Sequence, residues 1–452
     1  MNINNLSKEI KQEIKKMKKE IKKISKEVKL ISRNTNSFYN KEEDFLLFLV
    51  FSSMGLHKNL SLSELSFELS NKFNIEMKRQ GIDYKLSEEK TSNFLERVFR
   101  YILNNKISNL KRTSNGILNK FSEIYLEDSS LIQILDVHKD KFKGAGRSLA
   151  GVRINFLYSV FHQNFIDIDI FPGNQNDQKN SKLSINKLKE NSLILRDLGY
   201  FKLSAFRDII NNKGYFLSRY LNGTKLRKTL SGKLLKINDL FKEMKRKAYN
   251  EFFIYLGAKE KLPVRIIIHK TPKKEYLERI RKISKKIKDR KKKEISKDYK
   301  ERLKYSIFIT NIPKNKLEGK YIGTLYKYRW EIENIIKELK SLLDIDSIKK
   351  VKCENKLKSI LYARLIMALF IFPFKNIVAI EAKKENREIS NTNLIKYLSN
   401  DILFNAIKNN SFIKLIKNLM RIINLLYKEK RKRKTIFQQV DNSISFNETF
   451  NY

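Results

Sequence analysis

The chain has 452 residues, 41% of them hydrophobic, so it can bury a large core and divide into two to four units, which excludes a disordered tail. Its 95 Lys and Arg against 49 Asp and Glu leave a net charge of +46, which points to a polyanionic partner, nucleic acid above all, since a coding bias that adds Lys does not by itself hold the acids so low. One cysteine, Cys353, and four histidines exclude an internal disulfide framework and a Cys/His zinc site, so any catalytic metal must rest on carboxylates.

Along the chain, residues 1–40 come first, where Ile10, Ile14, Met17, Ile21, Ile24, Val28 and Ile31 alternate steps of four and three with Lys and Glu between them. This basic heptad helix fits a short coiled coil, a helix packed on its own domain, or one lying along DNA. No signal peptide opens the chain. The apolar runs FLLFLVF (45–51) and ILYARLIMALFIFPF (360–374) are short, the second interrupted by Arg364 and closed by Pro373, and read as buried helices of a cytoplasmic protein with no membrane partner. Residues 41–115 are helical in pattern. There a Ser61-x-x-Glu64 capping box precedes a basic segment with Lys78, Arg79 and Lys85, as in a helical DNA-binding domain of helix-turn-helix type; a plain helical bundle fits the same pattern.

Between about 122 and 175 the texture changes to strands, IYLEDSSLIQILDV, GVRINFLYSVF and FIDIDIFPGNQND, whose alternation predicts an antiparallel meander. Helical SKLSINKLKE, the buried-type strand SLILRD and a strand-to-helix turn at Gly199 follow. Residues 216–304 interleave short strands with the very basic helix ERIRKISKKIKDRKKKEISKDYKERLK, and then come strand YSIFITNIP and helix YKYRWEIENIIKELK. This order predicts an α/β fold with a ribonuclease H-like catalytic core at 116–215 and 305–345, interrupted by a strand-rich insertion at 216–304. A helical C-terminal region, 346–452, carries the basic tail YKEKRKRKTIF.

On an unbroken helix at about 100° per residue, Tyr326, Arg329, Glu333, Lys337 and Lys340 share a stripe about 80° wide, opposite Ile332, Ile335, Ile336, Leu339 and Leu343. That stripe presents a carboxylate flanked by an aromatic ring and three cations, a surface suited to phosphate. The alternative is an ordinary solvated face with a Glu333–Lys337 pair. Asp128 shares a strand face with Ile124 and Leu126, where a buried carboxylate is costly unless a metal or hydrogen bonds compensate. Asp197 ends the apolar run SLIL, where a central strand would leave the sheet. With Glu333 beside them the two aspartates make an all-oxygen cluster suited to Mg2+, and two such ions serve both the attacking and the leaving oxygen in phosphodiester displacement. Asp136, Asp140 and Asp177 are weaker rivals at loop or strand-end positions, and Glu331 and Glu338 point off the stripe.

At these residues the chain resembles the DDE transposases of bacterial insertion sequences, in the branch marked by Tyr, two residues, Arg, three residues, Glu, six residues, Lys. LEDSS (126–130) resembles the first-aspartate motif, and KGAG (143–146) with PGNQND the strand region after it. RDLGYF (196–201) with GYFLSRY (214–220) resembles the second-aspartate motif, and YKYRWEIENIIKELK the glutamate helix, so the likeness spans about 120–345. It implies a catalytic, metal-binding triad of Asp128, Asp197 and Glu333 holding two Mg2+ ions, with Mn2+ as a substitute. It implies phosphate contacts from Tyr326, Arg329 and Lys340 and a Trp330 that helps to hold distorted DNA, whereas the sequence by itself equally fits Trp330 as a core anchor. The implied activity is that of a transposase binding terminal inverted repeats, cutting strands at the ends of its element and joining the 3′-OH to target DNA. Such an enzyme works on double-stranded DNA as a homodimer in a synaptic complex, in the bacterial cytoplasm at the nucleoid. Ser130 stands where the family most often has Thr and keeps the hydroxyl. A non-catalytic DNA-binding regulator, an inactive copy, or a nuclease of the same fold would share much of this pattern.

Overall fold

The computed structural model describes residues 3–30, 41–51, 61–105, 110, 116–244, 247–289, 296–385, 387–399 and 401–428. Ile31, the basic stretch 290–295 and the tail beyond Lys428 lie outside the described residues. Among the described residues there are ten strands, interspersed with helices: β1 (Ile124–Gln133), β2 (Gly151–Ser159), β3 (Asn164–Pro172), β4 (Leu193–Arg196), β5 (Tyr215–Arg219), β6 (Leu226–Arg227), β7 (Leu234–Leu235), β8 (Tyr249–Leu256), β9 (Leu262–Lys270) and β10 (Tyr305–Thr310). The architecture is mixed α/β. The described residues divide into one unit lying within 1–113, 129–175 and 332–428, and another within 116–128 and 176–331.

In the first unit, helix Ile3–Glu27 buries Ile10, Ile14, Met17, Ile21 and Ile24 against the chain's own helices Glu89–Asn104 and Phe412–Arg421. The heptad seam is therefore an internal packing face. Ser61 and Glu64 form the reciprocal capping box, Glu64 N–H to Ser61 Oγ at 3.2 Å and Ser61 N–H to the Glu64 carboxylate at 2.6 Å, and open helix Leu62–Phe73. Asn74, left-handed at φ 52°, ends that helix, and Lys78 leads into helix Arg79–Ser87. The run FLLFLVF lies in helix Glu42–Phe51, whose apolar residues are buried. The second apolar run lies in the 31-residue helix Glu354–Lys384, which is long and apolar enough to cross a membrane; its most apolar window is 83% buried, as a core helix. The buried Arg364 inside it donates to the Leu343 carbonyl at 2.7 Å and faces Asp344 at 3.5 Å, so the run's one internal cation is compensated. In the same unit the second half of β1 lies beside β2, which pairs antiparallel with β3.

The second unit carries the strand order β1-β4-β5-β10-β9-β8-β6-β7. Its first three strands are parallel, and all later pairings are antiparallel. Strands from the 216–304 segment thus extend this same sheet. The parallel part is buried on both faces, as a parallel sheet requires: all four residues of β4 and Ile124 to Glu127 of β1 are buried. SKLSINKLKE departs from the helical expectation and contributes only a 3-10 turn, Ile185–Lys187. Its serines take local and tertiary bonds instead, Ser181 donating to the Gln178 carbonyl at 2.6 Å and Ser184 accepting from Arg196 at 2.8 Å, and these compete with a helical ladder.

Candidate active site

Register builds the site. β1 and β4 run parallel with Ile124 opposite Leu193 and Glu127 opposite Arg196, so one residue further on Asp128 and Asp197 come level. β4 and β5 pair Leu193 with Tyr215 and Leu195 with Leu217, and the same offset brings Arg219 level with Asp197. Two acids and a guanidinium therefore form a row at the carboxyl ends of neighbouring parallel strands, where open α/β sheets place their ligands. Asp197 leaves β4 and begins the 3-10 turn Leu198–Tyr200. Gly199 in that turn lies close to Asp177, whose Oδ2 would stand 3.0 Å from a Cβ placed there. Asp136 and Asp140 are exposed on the loop after β1, in the first unit.

The next helix departs from expectation. YKYRWEIENIIKELK is not one helix: Gly319–Lys327 ends and Trp330–Leu342 begins with a tight turn between them. The N–H groups of Tyr328, Arg329 and Glu331 each bond the carbonyl three residues earlier, at 3.0, 3.1 and 3.0 Å. Such bonds wind the chain at three residues per turn, so side chains at i and i+3 eclipse. Arg329 accordingly lies over the Tyr326 ring, its Cζ 5.9 Å from the centroid. Both are buried, 3% and 6% exposed, rather than displayed on a solvent stripe. The apolar face is as expected, with Ile332, Ile335, Ile336, Leu339 and Leu343 all buried.

Arg329 joins the two aspartates. Its Nη1 is 3.8 Å from Asp128 Oδ2 and its Nε 3.9 Å from Asp197 Oδ1. Arg219 adds a second guanidinium, with Nη2 at 3.5 Å from Asp197 Oδ1, Nε donating to Tyr326 Oη at 3.5 Å, and its Cζ 5.7 Å from the Tyr326 centroid. The Tyr326 hydroxyl donates in turn to the Arg196 carbonyl at 3.1 Å. Burial pushes the Tyr326 phenol up from its ordinary value, against the pull of Arg219 and Arg329, so it stays a neutral donor. Arg219 stood inside the second motif, yet only strand register reveals its place in the row.

The other expected residues are distributed as follows. Glu333 is half-buried on helix Trp330–Leu342, in the part of it that belongs to the first unit. Trp330 is 51% exposed, which removes the core-anchor reading. Lys337 is exposed, and Lys340 is half-buried. Lys78 and Arg79 are exposed at the start of their helix, whereas Lys85 pairs with Glu88 at 2.9 Å. Among the described residues no three of His, Cys, Asp and Glu gather closely enough to hold a metal, so the acids brought together are a pair. That pair suits a hard divalent cation in donor type, and Asp197 Oδ1 is buried without a hydrogen bond.

An α/β sheet with two aspartates level at its strand ends, on a chain of charge +46, fits the class of enzymes that work on polynucleotides. Residues 119–370 match the family described as transposase DDE domain, and the chain belongs to that family, among the DDE transposases of bacterial insertion sequences. It is 30% identical over 385 residues to the transposase for insertion sequence element IS1151 of Clostridium perfringens, covering 78% of this chain and 79% of that one. To the transposase for insertion sequence element IS231F of Bacillus thuringiensis subsp. israelensis it is 27% identical over 391 residues, covering 79% and 80%. Among solved structures, the piggyBac transposase synaptic complex with hairpin DNA aligns over 92% of this chain and 83% of its own length, at a TM-score of 0.44 and 12% identity.

Proposed function

We propose that this chain binds the terminal inverted repeats of its own insertion sequence, cleaves DNA strands at the element's ends and joins the 3′-OH to target DNA. The observation that carries the reading is the row of Asp128, Asp197 and Arg219, tied through Arg329 to the turn that holds Tyr326. In this reading 116–215 and 305–345 form a ribonuclease H-like core, 216–304 an insertion, 41–115 the DNA-binding domain, and 1–40 and 346–452 flanking helical regions. Asp128, Asp197 and Glu333 would hold two divalent ions, Mg2+ or in its place Mn2+, whose chemistry is to activate a water or 3′-OH and to neutralise the departing oxygen. Around them the side chains position the backbone. Arg329 and Arg219 offer planar forks to phosphate oxygens, Tyr326 holds both guanidinium groups in place, and Lys337 and Lys340 meet backbone phosphates from their own helix. Trp330 stacks on distorted DNA, and Lys78 and Arg79 contact the inverted repeat. Two copies of the chain bring the ends together in a synaptic complex, in the bacterial cytoplasm at the nucleoid.

The test incubates purified protein with DNA spanning its own gene's flanks, with and without Mg2+, beside the Glu333→Gln variant. Metal-dependent cuts at inverted-repeat ends with joined products, absent in the variant, are expected. Tight binding without a cut, even with Mn2+, would make the chain a regulator or an inactive copy, and hydrolysis without joining would make it a nuclease.

A further inference from the structure

Side chains alternate along a strand, so Glu127 points to the face of β1 opposite Asp128. There it meets Arg196, whose Nε donates to Glu127 Oε2 at 2.7 Å, with both side chains fully buried. Arg196 Nη2 donates to Ser184 Oγ at 2.8 Å, and its Cζ lies 5.9 Å from the Tyr200 ring centroid. Arg196 Nη1 is buried without a hydrogen bond. A buried ion pair with an unsatisfied donor is a poor source of stability, because apolar side chains of similar volume do as well or better in such places.

Its placement suggests another role. β4 is four residues long, and its pairing with β1 ends at Glu127 and Arg196. The next residues on the two strands are Asp128 and Asp197. The ion pair therefore ties the strands at the last rung before both acids, where a short strand would otherwise fray. The Arg196 carbonyl also accepts the Tyr326 hydroxyl at 3.1 Å, so one residue fixes the strand end and the turn that carries Arg329.

We propose that Glu127 and Arg196 are positioning residues, a clamp on the face opposite the site that sets the separation of the Asp128 and Asp197 carboxylates and so their affinity for a divalent cation. The proposal rests on the reading of those aspartates as metal ligands. Its test uses the full chain without DNA and compares the parent with the Glu127→Leu/Arg196→Met double variant, Glu127→Gln and Asp128→Asn. Three quantities are measured: thermal midpoint, Mn2+ affinity by calorimetry, and metal-free amide exchange across residues 193–200. The double variant should match or exceed the parent's midpoint yet bind Mn2+ about 10- to 100-fold more weakly and exchange faster after residue 196. Glu127→Gln keeps a hydrogen bond to Arg196 and should fall between. A double variant with parental Mn2+ affinity and parental exchange would overturn the clamp. Mn2+ binding that Asp128→Asn leaves untouched would instead overturn the metal-ligand reading, and exchange alone would then decide the clamp. Should the double variant fail to fold, Arg196→Lys, which keeps the charge and loses the fork to Ser184, is expected to show the same two losses, and its failure to do so is equally decisive.

Discussion

Two arginine–carboxylate assemblies stand at the ends of the same two strands, and they differ in closure. Arg196 meets Glu127 at 2.7 Å with both side chains sealed from solvent, the length of a charge-assisted hydrogen bond. Arg329 stands 3.8 and 3.9 Å from Asp128 and Asp197, beyond hydrogen-bond reach, and those aspartate side chains are 22% and 39% exposed. The same chemistry is committed on one side and left open on the other. The closed pair commits its short contact to holding a geometry, with Arg196 Nη1 left over. The Asp128 and Asp197 carboxylates of the other assembly stay partly exposed to solvent, where a cation can reach them.

The largest effect expected from this contrast is chemical. Asp128→Asn, which keeps size and removes charge on the open side, should lower strand cleavage by on the order of 10³-fold or more while leaving DNA binding near parental. Cleavage assays beside gel-shift titrations check this, and a cutting variant would move the chemistry away from the row. Glu333→Gln should behave alike if the third acid joins the pair when DNA and metal are bound.

Stability should show the reverse order. Arg196→Met takes away the guanidinium that meets the fully buried Glu127 carboxylate and should cost about 3–5 kcal/mol in chemical denaturation. Arg329→Met leaves aspartates that are partly solvated and, for Asp197, still paired with Arg219, so its cost should be less than half as large. Equal costs would erase the distinction between the closed and open assemblies.

Tyr326 links the two, so Tyr326→Phe probes both. Losing the hydroxyl leaves the buried Arg196 carbonyl without that donor, a loss of about 1–3 kcal/mol. The pH dependence has a definite sign. Burial raises the folded pKa of Tyr326, so its share of stability is complete below the unfolded value of about 10 and is lost as pH rises through the folded value. Denaturation followed from pH 8 upward should therefore show an alkaline decline that is shallower in Tyr326→Phe, and an identical decline would mean the phenol ionises as easily folded as unfolded.

What the sequence disclosed divides along the same line. The Ser61–Glu64 cap, the buried helices around residues 45–51 and 360–374, and the strands around Asp128 and Asp197 were legible because caps and hydrophobic period are local signals. The helical stripe was not, because it assumed an unbroken helix. Packing of Tyr326 against Phe308, with ring centroids 5.2 Å apart, and of Arg329 between the aspartates accompanies a tight turn that periodicity cannot register. Glu127 was hidden for another reason: alternation assigned one buried face to β1, whereas a parallel strand is buried on both. Arg219 and Arg196 depend on strand register, which is a tertiary property.

The smallest predicted effect lies farthest along the chain from the closed pair. Lys340 is half-buried on a helix whose opposite face is packed, so neutralising it should disturb folding little. If it meets one backbone phosphate, Lys340→Ala should weaken binding similarly across DNA sequences and reduce the slope of log K against log salt by about 1. Arg329→Lys should leave that slope unchanged, since it keeps the charge, while slowing cleavage by losing the planar fork. Titrations of terminal-repeat DNA at several salt concentrations separate the two. A Lys340→Ala slope equal to the parent's would return that lysine to an ordinary solvated face, and a lowered slope in Arg329→Lys would mean that the buried guanidinium contributes more than its charge to the DNA contact.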